Sequence, residues 1–124
     1  MIDKRTDLSD AIKLIKSGEI IALGGMNLYR RPIAAVREII RAGLKALTLL
    51  TLTGGLEADL LIGMGCIKAI RSCYVGLESF GLAPNFTRLA TEGKLDVIEE
   101  TESTIIPNQL SAPLQPIITT AQMK

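Results

Sequence analysis

The sequence predicts an α/β fold with a parallel sheet. Short apolar runs alternate with segments whose apolar residues recur at helical spacing. Glycines follow most of these runs and helical segments. The order strand, glycine, helix, glycine, strand is typical of units whose strands lie parallel. A chain of 124 residues with 48% hydrophobic residues has the length and the apolar content of one ordinary domain.

Apolar spacing, prolines and glycines predict each element in turn. Thr6 or Asp7 is the expected N-cap of the first helix, and Pro32 and Pro84 open later helices because proline is tolerated at a helix start. The run Ile20–Leu23 is wholly apolar, which indicates a strand covered on both faces. The predicted elements are a helix at 8–15, a strand at 20–23, a helix at 32–42, a strand at 46–51, a helix at 57–62, a strand at 69–75, a helix at 84–92 and a strand at 95–98.

Composition excludes several classes of function. The chain has no histidine, so it cannot assemble a Ser-His-Asp or Cys-His system, nor use an imidazole as general base. A net charge of +1 and an aromatic content of 3% argue against a nucleic-acid partner. No metal site is expected, and Cys66 and Cys73 are interpreted as free reduced thiols. With no signal peptide and no membrane-spanning run, the sequence predicts a cytoplasmic protein.

The segment around Gly24-Gly25 is the strongest candidate for a binding site. These glycines follow a buried strand, and open α/β sheets bind ligands at the carboxyl ends of their strands. Arg30 and Arg31 precede a helix whose positive dipole end faces the same side, which favours an anionic ligand such as a phosphate. A tight turn with two surface arginines is the alternative interpretation, since paired glycines are a weak signal.

Carboxylates provide the other candidate residues. Glu78 follows the third predicted strand, and three glutamates, Glu99, Glu100 and Glu102, follow the fourth. If these charges are partly buried, their proximity is expected to raise at least one pKa. A solvated acidic loop is the plainer alternative.

The segment Ser17–Pro32 resembles the signature of the A subunits of the family I coenzyme A-transferases. The hydrophobic triplet, Gly24-Gly25 and Pro32 match it, whereas Met26 stands where phenylalanine is usual and Arg31 where some branches have glycine. The Arg-Arg-Pro ending is similar to the glutaconate CoA-transferase branch. Further similar segments bring the resemblance to about residues 3–105, namely Leu60–Lys68, Ser72–Gly76, Phe86–Arg88 and Glu92–Leu95.

The resemblance implies the N-terminal portion of a coenzyme A-transferase-type α/β fold and an enzyme that moves CoA between carboxylic acids. A CoA thioester is then a substrate, and no permanently bound cofactor is expected. The resemblance assigns the covalent glutamate to a B subunit, so an oligomer inactive without that subunit is expected. It implies that the CoA or acyl group is bound by Gly24, Gly25, Asn27, Arg30 and Arg31.

A second branch of the same family, the ring-opening hydrolases of steroid degradation, is also similar. Its resemblance lies in the opening Asp3-Lys4-Arg5-Thr6 and in the turn ending at Pro32. In that branch a glutamate of the A subunit takes part in the chemistry, and Glu102 falls at its position. A hydrolase that uses Glu102 is therefore the rival function, and an inactive truncated domain is the third alternative.

The composition changes near residue 103. The segment 103–124 contains three of the five prolines, and its only charge is Lys124. We therefore predict an α/β domain at residues 1–102 and a divergent tail at 103–124 that is extended, disordered or irregularly packed, and not a further helix–strand unit. Because family subunits are about twice this long or longer, the chain is interpreted as truncated.

Overall fold

A five-stranded parallel sheet forms the centre of the structure, a computed structural model that describes residue 3, residues 5–111 and residues 117–118, with side chains as far as residue 106. In spatial order its strands are β6 (Asp96–Glu99), β4 (Ile67–Ser72), β2 (Leu47–Leu50), β1 (Ile20–Leu23) and β7 (Ile117–Ile118). All four pairings are parallel. Strands β3 (Thr53–Gly54) and β5 (Tyr74–Val75) form a separate two-stranded sheet. The predicted α/β class with a parallel sheet is confirmed.

The described residues contain five helices. They are α1 (Leu8–Ile12), α2 (Ile33–Arg41), α3 (Leu56–Gly63), α4 (Pro84–Thr91) and α5 (Glu102–Ser111), with one 3-10 turn at Glu78–Phe80. The first helix ends earlier than predicted, although Ile15 beyond its end is still buried. No helix in the described part of the chain is long and apolar enough to cross a membrane.

The main core lies between the sheet and helices α1 to α4. Ile21, Leu49 and Ile70 project from three adjacent strands and are fully buried against Ile39 of α2 and Leu61 of α3. Each such side chain stabilises the fold by about 1.5–3 kcal/mol relative to an exposed one. On β1, successive side chains point to opposite sides, and Ile21, Ala22 and Leu23 are buried, so both faces are covered there as predicted, whereas Ile20 at the start of the strand is 37% exposed.

The strand predicted at 69–75 is in fact two strands. The strand β4 ends at Ser72, and β5 begins after Cys73 and pairs with β3 instead of continuing in the main sheet. Ser72 Oγ donates to the carbonyl oxygen of Tyr74 at 2.7 Å, and the backbone N–H of Cys73 donates to Leu52 O at 3.2 Å. These hydrogen bonds direct the chain from the main sheet into the two-stranded sheet, although the apolar pattern of the sequence continues without a break.

The expectation that residues after 103 form no further helix–strand unit was wrong. Residues 102–111 form α5, and β7 pairs in parallel with β1. Ile105 is fully buried against Ala22 and Leu50, on the sheet face opposite the main core. Ile105 packs the start of this helix onto the sheet, and a shift in composition does not reveal such a contact. The division of the chain at residue 102 stays a prediction, and its statements on 112–116 and 119–124 lie outside the described residues.

Ile105→Val is expected to lower the free energy of unfolding by about 0.5–1.5 kcal/mol, because it removes one buried methyl group from the contact with Ala22 and Leu50. Urea denaturation measures the loss. Ile106→Val is the matched control, since Ile106 is 45% exposed, and it is expected to change little. Equal losses in the two variants would contradict the packing of α5.

Candidate functional site

The loops that leave the carboxyl ends of the strands meet at one edge of the sheet. From β1 the chain builds outward through β2, β4 and β6, and then returns by α5 to the other side of β1. The strand order therefore reverses next to β1, and open α/β sheets bind their ligands at such a reversal. Gly24 and Gly25 follow β1 directly, so the loop that the sequence predicts to bind a ligand lies where open α/β sheets usually bind one.

The loop after β1 folds into a tight turn. Met26 N–H donates to Tyr29 O at 3.0 Å, and Tyr29 N–H donates to Met26 O at 2.7 Å. Gly25 has φ +111°, and a Cβ atom there would lie 2.8 Å from Arg30 O and 2.8 Å from Arg31 Cδ. This position therefore requires glycine both for its backbone conformation and for the close approach of the turn.

Arg31 is buried beneath this turn. Its side chain is 2% exposed, and its Nη1 lies 2.9 Å from Oε1 of Glu57, whose side chain is fully buried. Its Nε donates to Asn27 O at 2.6 Å, and its Nη1 donates to Gly24 O at 3.3 Å. The alternative of two surface arginines does not hold for Arg31, whose charge is paired inside the chain. Contact of Arg31 with an anionic ligand stays a prediction, and Arg30 is exposed.

Burial governs the electrostatics of this pair. Removal from water raises the pKa of Glu57 above its ordinary value, although the charge of Arg31 and the N–H of Gly55 oppose the shift. Burial likewise lowers the pKa of Arg31, and Glu57 opposes that shift. Each charge therefore depends on the other, and removal of either partner leaves an uncompensated buried ion.

A side-chain hydrogen bond connects the β1 loop to the loop after β5. Asn27 Nδ2 donates to Glu78 Oε1 at 2.5 Å, and Asn27 N–H donates to Thr53 Oγ1 at 3.2 Å. Of the four non-glycine residues with positive φ among those described, three lie in these loops, namely Asn27, Arg30 and Glu78. Such conformations cost free energy and concentrate at functional sites. Because a hydrogen bond joins Asn27 and Glu78, we treat the two residues as one cluster.

Glu102 lies at the same edge but farther from the glycine loop. It is exposed at the start of α5, beyond β6, and β6 is three strands away from β1. That separation is about 14 Å at the usual spacing of strands. Within this chain the structure does not bring Glu102 together with Gly24, Gly25 and Asn27, so a shared catalytic role for Glu102 stays a prediction.

Among the clustered glutamates Glu99, Glu100 and Glu102, the structure lowers the pKa of Glu100 instead of raising it. The hydroxyl of Thr104 donates to Glu100 Oε2 at 2.6 Å, and Arg71 forms an ion pair with Glu100 Oε1. Both interactions favour the charged carboxylate and hold the pKa of Glu100 below its ordinary value. These partners outweigh the partial removal of the carboxylate from water, which opposes the shift.

This shift predicts a pH-dependent effect of Glu100→Gln. Because the pKa is lower in the folded than in the unfolded state, the carboxylate contributes stability above about pH 4.3, and the contribution is lost as pH falls through the folded pKa. Urea denaturation at pH 7 is therefore expected to find the variant less stable than the wild type, with the difference in free energy of unfolding narrowing as the pH falls below about 4.3. Glu99→Gln, at an exposed position, is the control; a gap for Glu100→Gln that stays constant with pH would contradict the expectation.

Sequence reasoning missed Glu57 and Asp59, two buried carboxylates in α3. Both oxygens of Glu57 accept the N–H of Gly55 at 3.2 Å. Asp59 accepts the N–H of Phe86 at 2.8 Å and so satisfies a donor at the start of α4. The available signal was the position of two acids inside an otherwise apolar helical segment, where an acid needs a buried partner.

Several large apolar side chains stay exposed around these loops. They are Met26 and Tyr29 on the β1 loop and Phe80 and Leu82 after β5, with Phe80 80% exposed. The hydrogen bond between Asn27 and Glu78 joins the two loops that carry them. We call these four residues the apolar rim. Apolar groups clustered at a loop edge are typical of surfaces that another molecule covers.

The fold and this edge define an α/β protein whose candidate binding loops lie at a point where the strand order reverses. The family model for coenzyme A transferase matches residues 5–108. The chain belongs to the coenzyme A transferase family.

Curated relatives from two branches match this chain. It is 38% identical over 106 residues to the A subunit of glutaconate CoA-transferase from Acidaminococcus fermentans, covering 84% of this chain and 33% of that protein. It is 36% identical over 103 residues to the cholesterol ring-cleaving hydrolase IpdA subunit of Mycobacterium tuberculosis, covering 82% and 35%. The chain thus spans about a third of the length of these relatives.

Solved structures show the same fold. A variant of the decarboxylase AibA/AibB superposes with a TM-score of 0.80 at 27% identity, covering 88% of this chain and 43% of that one. Glutaconate coenzyme A-transferase from Acidaminococcus fermentans gives a TM-score of 0.77 at 38% identity, covering 83% and 33%. The predicted CoA-transferase-type fold, as the N-terminal portion of such a protein, is confirmed.

Proposed function

We propose that this chain is the A-type component of a cytoplasmic CoA-transferase that moves CoA between carboxylic acids. It supplies part of the site for CoA and the acyl group, and a B subunit supplies the covalent glutamate. The observation that carries the proposal is the glycine turn at the reversal of strand order, within a chain 38% identical to the A subunit of glutaconate CoA-transferase. No residue of this chain is assigned the covalent step.

The β1 loop fits the binding of a CoA thioester. Glycines let the backbone approach a ligand closely, and the exposed Arg30 provides a positive charge for a phosphate. Oδ1 of Asn27 is buried without a hydrogen-bond partner among the described residues, so the side chain retains an unused acceptor within this loop. Gly24, Gly25, Asn27 and Arg30 would hold and orient the thioester.

The covalent chemistry would take place on the partner. A glutamate carboxylate of the B subunit first attacks the thioester carbonyl and displaces the CoA thiolate, which leaves an acyl anhydride. The thiolate then attacks the glutamyl carbonyl of that anhydride, so the carboxylic acid leaves and a glutamyl-CoA thioester remains. This sequence needs no imidazole, in agreement with a chain that has no histidine.

The apolar rim is the proposed docking surface for the B subunit. Its four side chains surround the loops that would bind CoA, so a partner seated there also closes the site. Burial of a large apolar side chain at an interface contributes about 1.5–3 kcal/mol.

Phe80→Asp is therefore expected to weaken binding of the B subunit by at least about tenfold, because it places a charge where an apolar group would be buried. Sedimentation velocity on mixtures of the two chains measures this association. Leu14→Asp is the matched control, since Leu14 is 70% exposed and lies in the segment that leads into the opposite end of β1. Equal weakening by both substitutions would remove the apolar rim as the docking surface.

CoA transfer tests the proposal as a whole. The chain is mixed with a B-type CoA-transferase subunit and incubated with glutaconyl-CoA and acetate. We expect acetyl-CoA to form in the mixture but with neither chain alone, and mass spectrometry to find the CoA adduct on the B subunit. Detection of the CoA adduct on this chain would contradict the assignment.

The second candidate is a hydrolase that opens a ring in a CoA thioester. Its supporting observation is the 36% identity to the IpdA subunit, together with the exposed carboxylate of Glu102 at the same edge of the sheet. Glu102→Gln separates the two functions: loss of ring opening with CoA binding retained supports the hydrolase, whereas undiminished CoA transfer supports the transferase. A complex that binds no CoA would indicate the third alternative, an inactive domain.

A further inference from the structure

The buried ion pair of Arg31 and Glu57 contacts the β1 loop at two carbonyl oxygens and also the segment after β2. The guanidinium of Arg31 holds the start of the loop at Gly24 O and its middle at Asn27 O. The same group reaches Oγ1 of Thr51, after β2, at 3.4 Å. Four acceptors from different parts of the chain, including Glu57, therefore converge on one side chain.

Glu57 fixes the orientation of that side chain. Its carboxylate is anchored from behind by the N–H of Gly55 and faces the guanidinium at 2.9 Å. An arginine fork keeps its hydrogen-bond directions only if an acceptor holds it in plane. Without Glu57, Arg31 would retain single contacts to carbonyl oxygens and would carry an unpaired buried charge.

We propose that the Arg31–Glu57 pair is the positioning element of the CoA site: it sets the conformation of the loop from Gly24 to Arg30 from beneath and does not itself touch the ligand. The inference rests on the proposed function for its ligand, but the loop conformation that it explains is a property of this chain alone. Both side chains are at most 2% exposed, which is why we assign them positioning and not ligand contact.

The double variant Arg31→Met/Glu57→Gln separates positioning from stability. It replaces a buried ion pair by neutral side chains of similar volume, so neither variant side chain leaves an unpaired charge in the interior. The substituted amide oxygen can still accept the N–H of Gly55, but the methionine cannot donate to Gly24 O or Asn27 O. We expect a Tm within about 5 °C of the wild type together with a disordered loop.

Two readouts follow from this design. Calorimetric titration of CoA into the complex with the B subunit is expected to show binding about 10- to 100-fold weaker than for the wild type. Hydrogen exchange on this chain alone is expected to speed up at the Met26 and Tyr29 amides, which donate within the turn, while the Ile21 and Leu49 amides keep their protection. The surface pair Arg41 and Glu38, with side chains 71% and 25% exposed, is changed to Met and Gln as the matched control and is expected to alter neither readout.

Each outcome of these measurements supports or overturns either the positioning role of the Arg31–Glu57 pair or the proposed function. A stable double variant with wild-type CoA affinity and unchanged exchange overturns the positioning role and leaves the CoA site intact. A wild-type complex that binds no CoA overturns the proposed function, and exchange at Met26 and Tyr29 then still tests the control of the loop. If the double variant does not fold, Arg31→Lys takes its place: it keeps the charge but has no fork, so unchanged exchange at both amides would overturn the inference.

Discussion

Replacing Arg31 by alanine is expected to lower the free energy of unfolding by about 3–5 kcal/mol, the cost of leaving a buried charge without its partner. Glu57 would stay fully buried beside the emptied space, and the carbonyl oxygens of Gly24 and Asn27 would lose their donor. Urea denaturation at pH 7 measures the change. A loss this large is a substantial part of the stability of a domain of this size.

The matched control is Arg41→Ala. Arg41 forms an ion pair with Glu38 at the same 2.9 Å, but its side chain is 71% exposed. Because solvent screens exposed pairs, that substitution is expected to cost at most about 1 kcal/mol. Similar losses for Arg31→Ala and Arg41→Ala would show that the buried pair has no special weight.

Gly25→Ala is expected to destabilise the fold by about 4 kcal/mol and to abolish the native turn. The substitution imposes φ +111° on an alanine, which costs about 1–3 kcal/mol, and adds a Cβ 2.8 Å from Arg30 O and 2.9 Å from Tyr29 O. Both contacts are with backbone atoms, which cannot move aside as a flexible side chain can. The steric conflict adds about 1–3 kcal/mol.

Gly18→Ala isolates the steric part of that loss. Gly18 also has positive φ, at +89°, but a Cβ there meets no atom within 4 Å. Only the backbone penalty of about 1–3 kcal/mol is therefore expected. If thermal unfolding finds Gly18→Ala as damaging as Gly25→Ala, close packing of the turn is not what requires the glycine.

The sequence was sufficient for the fold class because the signals for parallel βα units are local. Apolar runs such as Ile20–Leu23 and helix starts such as Pro84 lie close to the predicted boundaries. Helix α5 was not predicted because its packing depends on contacts of Ile105 with Ala22 and Leu50, which are distant in the chain. The break between β4 and β5 was not predicted because the strand ends at a side-chain hydrogen bond of Ser72 and not at a glycine or proline.

The position of the site was predictable, but its interior was not. Gly24-Gly25 follows a strand, and the rule for carboxyl ends of parallel strands then locates the loop. The sequence places Arg30 and Arg31 side by side, yet one is exposed and the other is buried against Glu57, 26 residues further along the chain. No local pattern connects Arg31 to Glu57, so the buried pair becomes visible only in three dimensions.

The most direct test of the CoA-binding role is calorimetric titration of CoA into this chain assembled with its B-type subunit. We expect saturable binding by the complex, binding lost in a complex carrying Gly25→Ala, and binding retained in one carrying Gly18→Ala. A wild-type complex that releases no heat of binding, or a Gly25→Ala complex with undiminished affinity, would contradict the claim that the loop after β1 forms part of a coenzyme A site.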